Sequence, residues 1–187
     1  MTLTAFTHVT IDGFFAGPKG EIDWFHSIQK SPDFEAYTRE QSQSRNTLFM
    51  GRTTYEMMES YWPTPAALKA DPEMADVMDN SPKVVFSKKL KSLEEGPNWK
   101  NLRLVHEIER DEIARLKKQG DITILGSGSI VQQLTKLGLI DEYHLVCVPV
   151  VLGEGKPLFE GVPKTELKLH EARPFRNGVV VMEYRPA

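Results

Sequence analysis

A single cysteine among 187 residues removes several explanations at once. Cys147 has no second thiol to pair with, so no internal disulfide staples the chain. Its neighbours in LVCVPVV mark a core thiol in a reducing compartment. The zinc deaminase signature, H-x-E followed by P-C-x-x-C, cannot be built from one cysteine. Long apolar runs are missing too, and nothing approaches the ~20 residues that cross a bilayer. The opening MTLTAFTHVTIDG lacks the basic-then-apolar order of a signal peptide, so a soluble, cytoplasmic protein without a membrane partner is expected. Charge of one sign is scarce: 23 Lys and Arg against 26 Asp and Glu leave a net −3. That balance argues against nucleic acid or an anionic membrane surface as the main partner. The histidines, His8, His26, His106, His144 and His170, show no H-E-x-x-H spacing, and no metal site is expected. G-x-S-x-G is absent as well, so Ser127 and Ser129 are not read as nucleophiles.

What is present is an ordinary globular composition, 40% hydrophobic and 26% charged, in a length that fits one domain over 1–187. Alternation of Leu3, Ala5, Thr7, Val9 and Ile11 predicts a first strand, ended by Asp12-Gly13. Ser31-Pro32 starts a helix running to about Ser44. Short strands follow at Asn46–Met50, Lys83–Phe86, Leu102–His106 and Ile122–Leu125. Helices are predicted from about Arg52, over Glu109–Lys118 and over Ser129–Leu137. Four prolines between 61 and 82 predict an irregular excursion with at most one or two short helices. Tyr143–Val151 reads as a long strand interrupted at Pro149, and Asn177-Gly178 joins a closing hairpin of Leu167–Glu171 and Val179–Tyr184. Strands alternate with helices to about residue 140 and then pair antiparallel. This predicts a mixed sheet covered by helices, an α/β fold. The apolar run HLVCVPVVLG is long for a terminal strand, and burial against a second copy would explain it.

Three stretches share one form, a strand released into small or basic residues. In ILGSGSIVQQL, Gly126-Ser127-Gly128-Ser129 leads directly into a helix. Helix N-termini leave N–H groups unsatisfied, and glycines let a phosphate approach them closely. A serine-capped turn accounts for the same residues. The dinucleotide fingerprint G-x-G-x-x-G fails because Val131 stands at the third glycine. In LFMGRTTYEMM, Gly51 precedes Arg52, Thr53 and Thr54; arginine presents a planar fork matched to phosphate, and a capped surface helix is the alternative. In VVFSKKLK a strand releases Ser87, Lys88 and Lys89, which also fits a solvated basic loop. Gly153-Glu154-Gly155-Lys156 lacks the remaining P-loop residues and reads as a turn near a substrate rim or a dimer contact. Open α/β sheets bind ligands at the carboxyl ends of their strands, so three such ends together could hold a dinucleotide with an extra phosphate.

In this order, TIDGFFAGPKGEIDW, LFMGRTTYEMM, VVFSKKL and ILGSGSIVQQLTKLGLIDEYHLVCVPVVLGEGKPLF give the chain its likeness. It resembles the dihydrofolate reductase-like superfamily, and within it the RibD C-terminal reductase domain of riboflavin biosynthesis. The resemblance implies a three-layer α/β/α domain with a mixed, mostly parallel sheet and a C-terminal antiparallel hairpin. It implies NADPH as cofactor. Gly51, Arg52, Thr53 and Thr54 would contact its phosphates, and Ser87 and Lys88 its adenosine end. Leu125, Gly126, Ser127, Gly128, Ser129 and Ile130 would hold the pyrophosphate. Val9, Asp12, Gly13, Phe15 and Ala16 would line the nicotinamide and substrate, with Trp24 near the rim. Riboflavin-pathway reductases carry a glutamate just before the glycine turn, where this chain has Leu125. Dihydrofolate reductases hold the pterin with an acid in the first long helix, where Glu35 stands.

The expected activity is hydride transfer from NADPH to a C=N or C=O carbon of a small heterocycle, pterin-like or a pyrimidine ribotide. Asp12, Glu35 or water would supply the proton, and the assembly would be a homodimer. A nucleotide-binding module of the same fold without turnover is the alternative.

Overall fold

Alternate residues of the first strand, β1 (Leu3–Thr10), serve two different cores. Leu3, Ala5 and Val9 pack with Phe49, Ile122, Ile124, Val131 and Leu134, whereas Phe6 packs with Phe34, Tyr37 and Val181. Both faces of the strand are covered, as a period-two pattern of apolar side chains requires. This computed structural model describes residues 1–187, except the side chain of His26, which lies outside the described residues.

The other elements follow in chain order: β2 (Phe14–Ala16), α1 (Pro32–Ser42), β3 (Thr47–Gly51), α2 (Arg52–Tyr61), α3 (Pro65–Ala70) and α4 (Pro72–Asn80). Next come β4 (Lys83–Phe86), β5 (Leu102–Val105), α5 (Arg110–Lys117), β6 (Ile122–Gly126), α6 (Gly128–Lys136) and β7 (Glu142–Val148). The chain ends with β8 (Lys156–Pro157), β9 (Leu167–Pro174) and β10 (Val180–Pro186). The main sheet is eight-stranded, in the order β5-β4-β3-β6-β1-β7-β10-β9. From β5 to β7 all pairings are parallel, and β10 then pairs antiparallel with β7 and β9. Ile113 and Leu116 of α5 and Ile130, Val131 and Leu134 of α6 pack on one face. Phe34 and Tyr37 of α1, Tyr55 of α2 and Met78 of α4 pack on the other, so the layers are α/β/α. Among the described residues no helix is long and apolar enough to cross a membrane.

Two features differ from the sequence expectation, while the excursion over 61–82 carries two short helices, the most that was expected. The prolines at 65 and 72 start helices, because Thr64 and Asp71 cap them by accepting from the amides of Ala67 and Met74. The strand expected over 143–151 ends at Val148, next to the proline that cannot donate to a ladder. Tyr143 and Leu145 join one core and Val146 the other, so covered faces within one chain account for its apolar run. A second, two-stranded sheet pairs β2 with β8 antiparallel. At three and two residues these strands are too short to show periodicity. Gly155, just before β8, lies so close to Ala16 that a Cβ there would sit 2.5 Å from the Ala16 carbonyl oxygen.

Lys83, at the start of β4, is fully buried. Its ammonium donates to the carbonyls of Asp79 at 3.0 Å, Ser81 at 2.9 Å and Lys100 at 2.9 Å, and lies 4.4 Å from the centre of the Trp99 ring. It therefore ties the end of α4 and the segment before β5 to the sheet, although burial pushes its pKa down to about 8. Replacing it with methionine leaves three carbonyls without their donor. The expected loss in Lys83→Met is about 2–4 kcal/mol by urea denaturation. An unchanged or raised midpoint would mean that desolvating the ammonium costs more than its contacts return.

Candidate functional site

The parallel pairing of β3 with β6 sets Met50 opposite Gly126, so two strand ends leave the sheet side by side. Each passes almost at once into a helix. The N-cap residues, Gly51 of α2 and Ser127 of α6, make no side-chain capping hydrogen bond, so no side chain closes the first amides of either helix; the Ile130 amide turns back to the Ser127 carbonyl at 3.0 Å. The two turns touch: a Cβ on Gly51 would lie 2.8 Å from the Ser127 hydroxyl. Gly126 has φ +123, a conformation that favours glycine, and backs onto the Thr54 hydroxyl. The Gly126–Ser127 peptide is cis. A Cβ on Gly128 would overlap the Phe15 ring. Thus the glycines are dictated by close approach, and the backbone is bare where the helices begin.

A cleft of about 520 Å³ opens over these turns. Arg52, Thr53, Ser127 and Ser129 line it from the helix starts, and Ser87, Lys88, Lys89 and His106 from the ends of β4 and β5. Gly51 and Ile130 complete its floor. The Ser127 and Ser129 hydroxyls are 2.7 Å apart. The Arg52 guanidinium is held by Glu56 at 3.0 and 3.1 Å, and Lys88 lies 3.8 Å from Glu107; both pairs are exposed. Ser87 accepts from the amides of Lys89 and Leu90 and so shapes the basic turn. The structure therefore gathers Gly51, Arg52, Thr53, Ser87, Lys88, Ser127, Ser129 and Ile130 around one cleft. Thr54, Gly126 and Gly128 are buried behind it, and Val9 and Ala16 belong to the core.

The two candidate acids lie elsewhere. Asp12 accepts from the Thr10 hydroxyl at 2.5 Å and from the amides of Leu152 and Gly153 at 3.1 and 2.8 Å. These bonds, that of Thr10 foremost, hold its carboxyl below the usual range, so it latches the loop before β8 as a carboxylate. Glu35 is exposed on α1 and lines neither this cleft nor the cavity described next. Trp24 is buried in the 3₁₀ turn Asp23–Ser27, with its ring centre 4.4 Å from that of Phe25.

A second cavity, of about 270 Å³, lies on the opposite side of the β6 end, between the sheet and helices α1 and α4. Phe6, His8, Thr38, Gln41, Leu48, Met74, Met78, Leu125 and His144 are among its walls. Leu125 faces this cavity while the next residue, Gly126, begins the turn under the cleft, so one strand end serves both. His8 and His144 are the residues that sequence reasoning missed. Their signal was parity: in a strand covered on both faces, Thr4, Phe6 and His8 form a partly polar row where apolar side chains are expected. His8 packs its ring 4.9 Å from Phe25 and 5.7 Å from Phe6, and burial pushes its pKa down to about 4. His144 Nε2 is 3.3 Å from Glu142, and its Nδ1 is buried without a partner among the described residues.

The His8 shift has a sign. Between about pH 6.5 and 4 the unfolded chain binds a proton that the folded one refuses, so stability falls as the pH drops through that window. His8→Phe should lose less stability than the wild type between pH 7 and 5, measured by urea midpoints. Equal losses would mean that His8 takes up its proton freely in the fold.

Comparisons with known proteins give the family and the fold. The family model of the RibD C-terminal domain matches residues 1–181. The uncharacterized protein YyaP of Bacillus subtilis (strain 168) is 33% identical over 179 residues, covering 94% of this chain and 90% of the relative. A candidate riboflavin biosynthesis protein from Shewanella sp. PV-4 superposes with TM-score 0.79 at 23% identity, over 100% of this chain and 99% of that one. A dihydrofolate reductase from Enterococcus faecalis, complexed with NADP(H), superposes with TM-score 0.65 at 18% identity, over 99% and 96%. At these identities the two structural likenesses show the fold.

Proposed function

The chain belongs to the RibD C-terminal domain family, and from that premise we propose that it is a cytoplasmic NADPH-dependent reductase of a small heterocycle. The observation that carries the reading is the meeting of two uncapped helix N-termini with a basic turn around one cleft. A dinucleotide phosphate fits that donor set: bare amides and hydroxyls at Gly126–Ser129 suit a pyrophosphate, and Arg52 with Lys88 suits a 2′-phosphate. At Gly51 and Gly128 the space of a Cβ is taken by the Ser127 hydroxyl and the Phe15 ring, so only glycine lets the two turns pack this closely.

When bound, NADPH would supply the hydride, and the chain's own residues would bind, orient and exclude water. Val9 and Ala16 are core residues that would support the nicotinamide end from behind, Phe15 packs on Gly128, and the cavity under α1 would receive the acceptor. The acceptor would be an unsaturated ring carbon, and the balancing proton would come from water. Asp12 is held as a carboxylate and Glu35 faces outward, so neither is placed to give it. The absence of a ring-holding carboxylate also favours a second reading, an NADP(H)-binding module without turnover. That reading expects tight cofactor binding and no oxidation with any heterocycle. Assembly as a homodimer completes the proposal, with the exposed Ile11 and Val151 as its contact. Light scattering should then report twice the chain mass at micromolar concentration, and a monomer would remove it.

If Arg52 and Lys88 grip a 2′-phosphate, NADPH binds about ten- to a hundredfold tighter than NADH, since a charge-assisted hydrogen bond contributes roughly 1.5–3 kcal/mol. Fluorescence titration of both cofactors measures this, and Arg52→Ala should narrow the gap. Equal affinities in the wild type would reject the assignment.

A further inference from the structure

We propose that the cavity beneath α1 selects an uncharged, flat acceptor of one or two rings bearing a ring carbonyl, and that His8 is the residue that recognises it. The inference rests on the reductase reading for the word acceptor, and on the cavity itself for the rest. None of its described lining residues is Asp, Glu, Lys or Arg. A phosphate or carboxylate tail would enter without a counter-charge, and a protonated ring would find no carboxylate to hold it. Both are costly against Phe6, Leu48, Met74, Met78 and Leu125, and the hydroxyl and amide side chains that share the wall carry no charge to answer one. At about 270 Å³ the cavity falls just below the range of ~300–1,000 Å³ usual for ligand sites, so it has no room for a long tail.

Polar groups also line the cavity at Thr38, Gln41, Asn46 and His144, but His8 is the one whose ring is set among aromatic neighbours, Phe6 and Phe25. No hydrogen bond to its imidazole exists among the described residues, and burial keeps it neutral at pH 7. A neutral imidazole offers one N–H and one lone pair. A ring carbonyl accepts from the first, and a neighbouring ring N–H donates to the second. His144 does not alter the charge argument. Its Nε2 lies 3.3 Å from Glu142 and 3.9 Å from Glu183, neither of which lines the cavity.

Two probes of equal size separate the possibilities: quinazoline-2,4-dione, which is uncharged, and 2,4-diaminoquinazoline, which takes a proton readily. Calorimetric titration of the full chain at pH 7.5 should show the dione bound at least tenfold tighter. His8→Phe should erase that preference, whereas His8→Asn, which keeps a donor and an acceptor, should retain part of it. Tighter or equal binding of the diamine overturns the proposal. So does a dione preference undiminished in both variants, or no measurable binding of either probe. Titrating NADPH into the same samples keeps the two readings apart. Dione selectivity without NADPH binding sinks the reductase and spares the cavity; NADPH binding with diamine selectivity does the reverse.

Discussion

The adjacency of β3 and β6 is the constraint from which the site follows. Two parallel strands that pair side by side and both turn directly into helices must bring two helix N-termini together at one edge of the sheet. Their first-turn amides have no capping side chain, so partial positive charge from two helices accumulates in one place. The glycines at 51, 126 and 128 are consequences of that crowding, since a side chain at any of them would meet Ser127, Thr54 or Phe15. The basic turn after β4 joins because β4 is the next strand along.

Charge already present at this edge does not compete strongly with a phosphate. Arg52 with Glu56 and Lys88 with Glu107 are exposed pairs of the kind that contribute about 0–1 kcal/mol. A phosphate clasped by arginine and open amides gains more, so both cations can change partner on binding. Asp12 works on the other side of the same edge. By tying the end of β1 to the amides of Leu152 and Gly153, it holds the loop before β8 in place, so that β8 can pair with Phe14 and Ala16 of β2. The cleft therefore has one electrostatic wall and one packed wall, and the cavity under α1 opens where Leu125 gives way to Gly126.

Much of this was legible in the sequence because it depends on local chemistry. The strands at Leu3, Asn46, Lys83, Leu102 and Ile122 carry apolar residues in runs that any covered parallel sheet needs. The phosphate-compatible residues sit immediately after three of those strands, which is where such a sheet delivers them. What was illegible depends on distant neighbours. The pairing of Phe14–Ala16 with Lys156–Pro157 joins segments 140 residues apart through too few residues to leave a pattern. The outward aim of Glu35 is set by Phe34 and Tyr37, which turn α1 so that they reach the sheet. The cavity with His8 and His144 exists only because α1 and α4 leave a gap over β1 and β7, and sequence spacing cannot report a gap. The one or two short helices expected between 61 and 82 are two, and their starts at Pro65 and Pro72 are fixed by the caps Thr64 and Asp71.

The central claim is that the beginnings of α2 and α6 act as one polyphosphate site. Amide resonances followed by ¹H–¹⁵N correlation spectra during an NADP⁺ titration test it most directly. The account predicts that Arg52–Thr54 and Ser127–Ile130 shift together and fit a single dissociation constant. Movement of only one group, or two groups with separate constants, would contradict it.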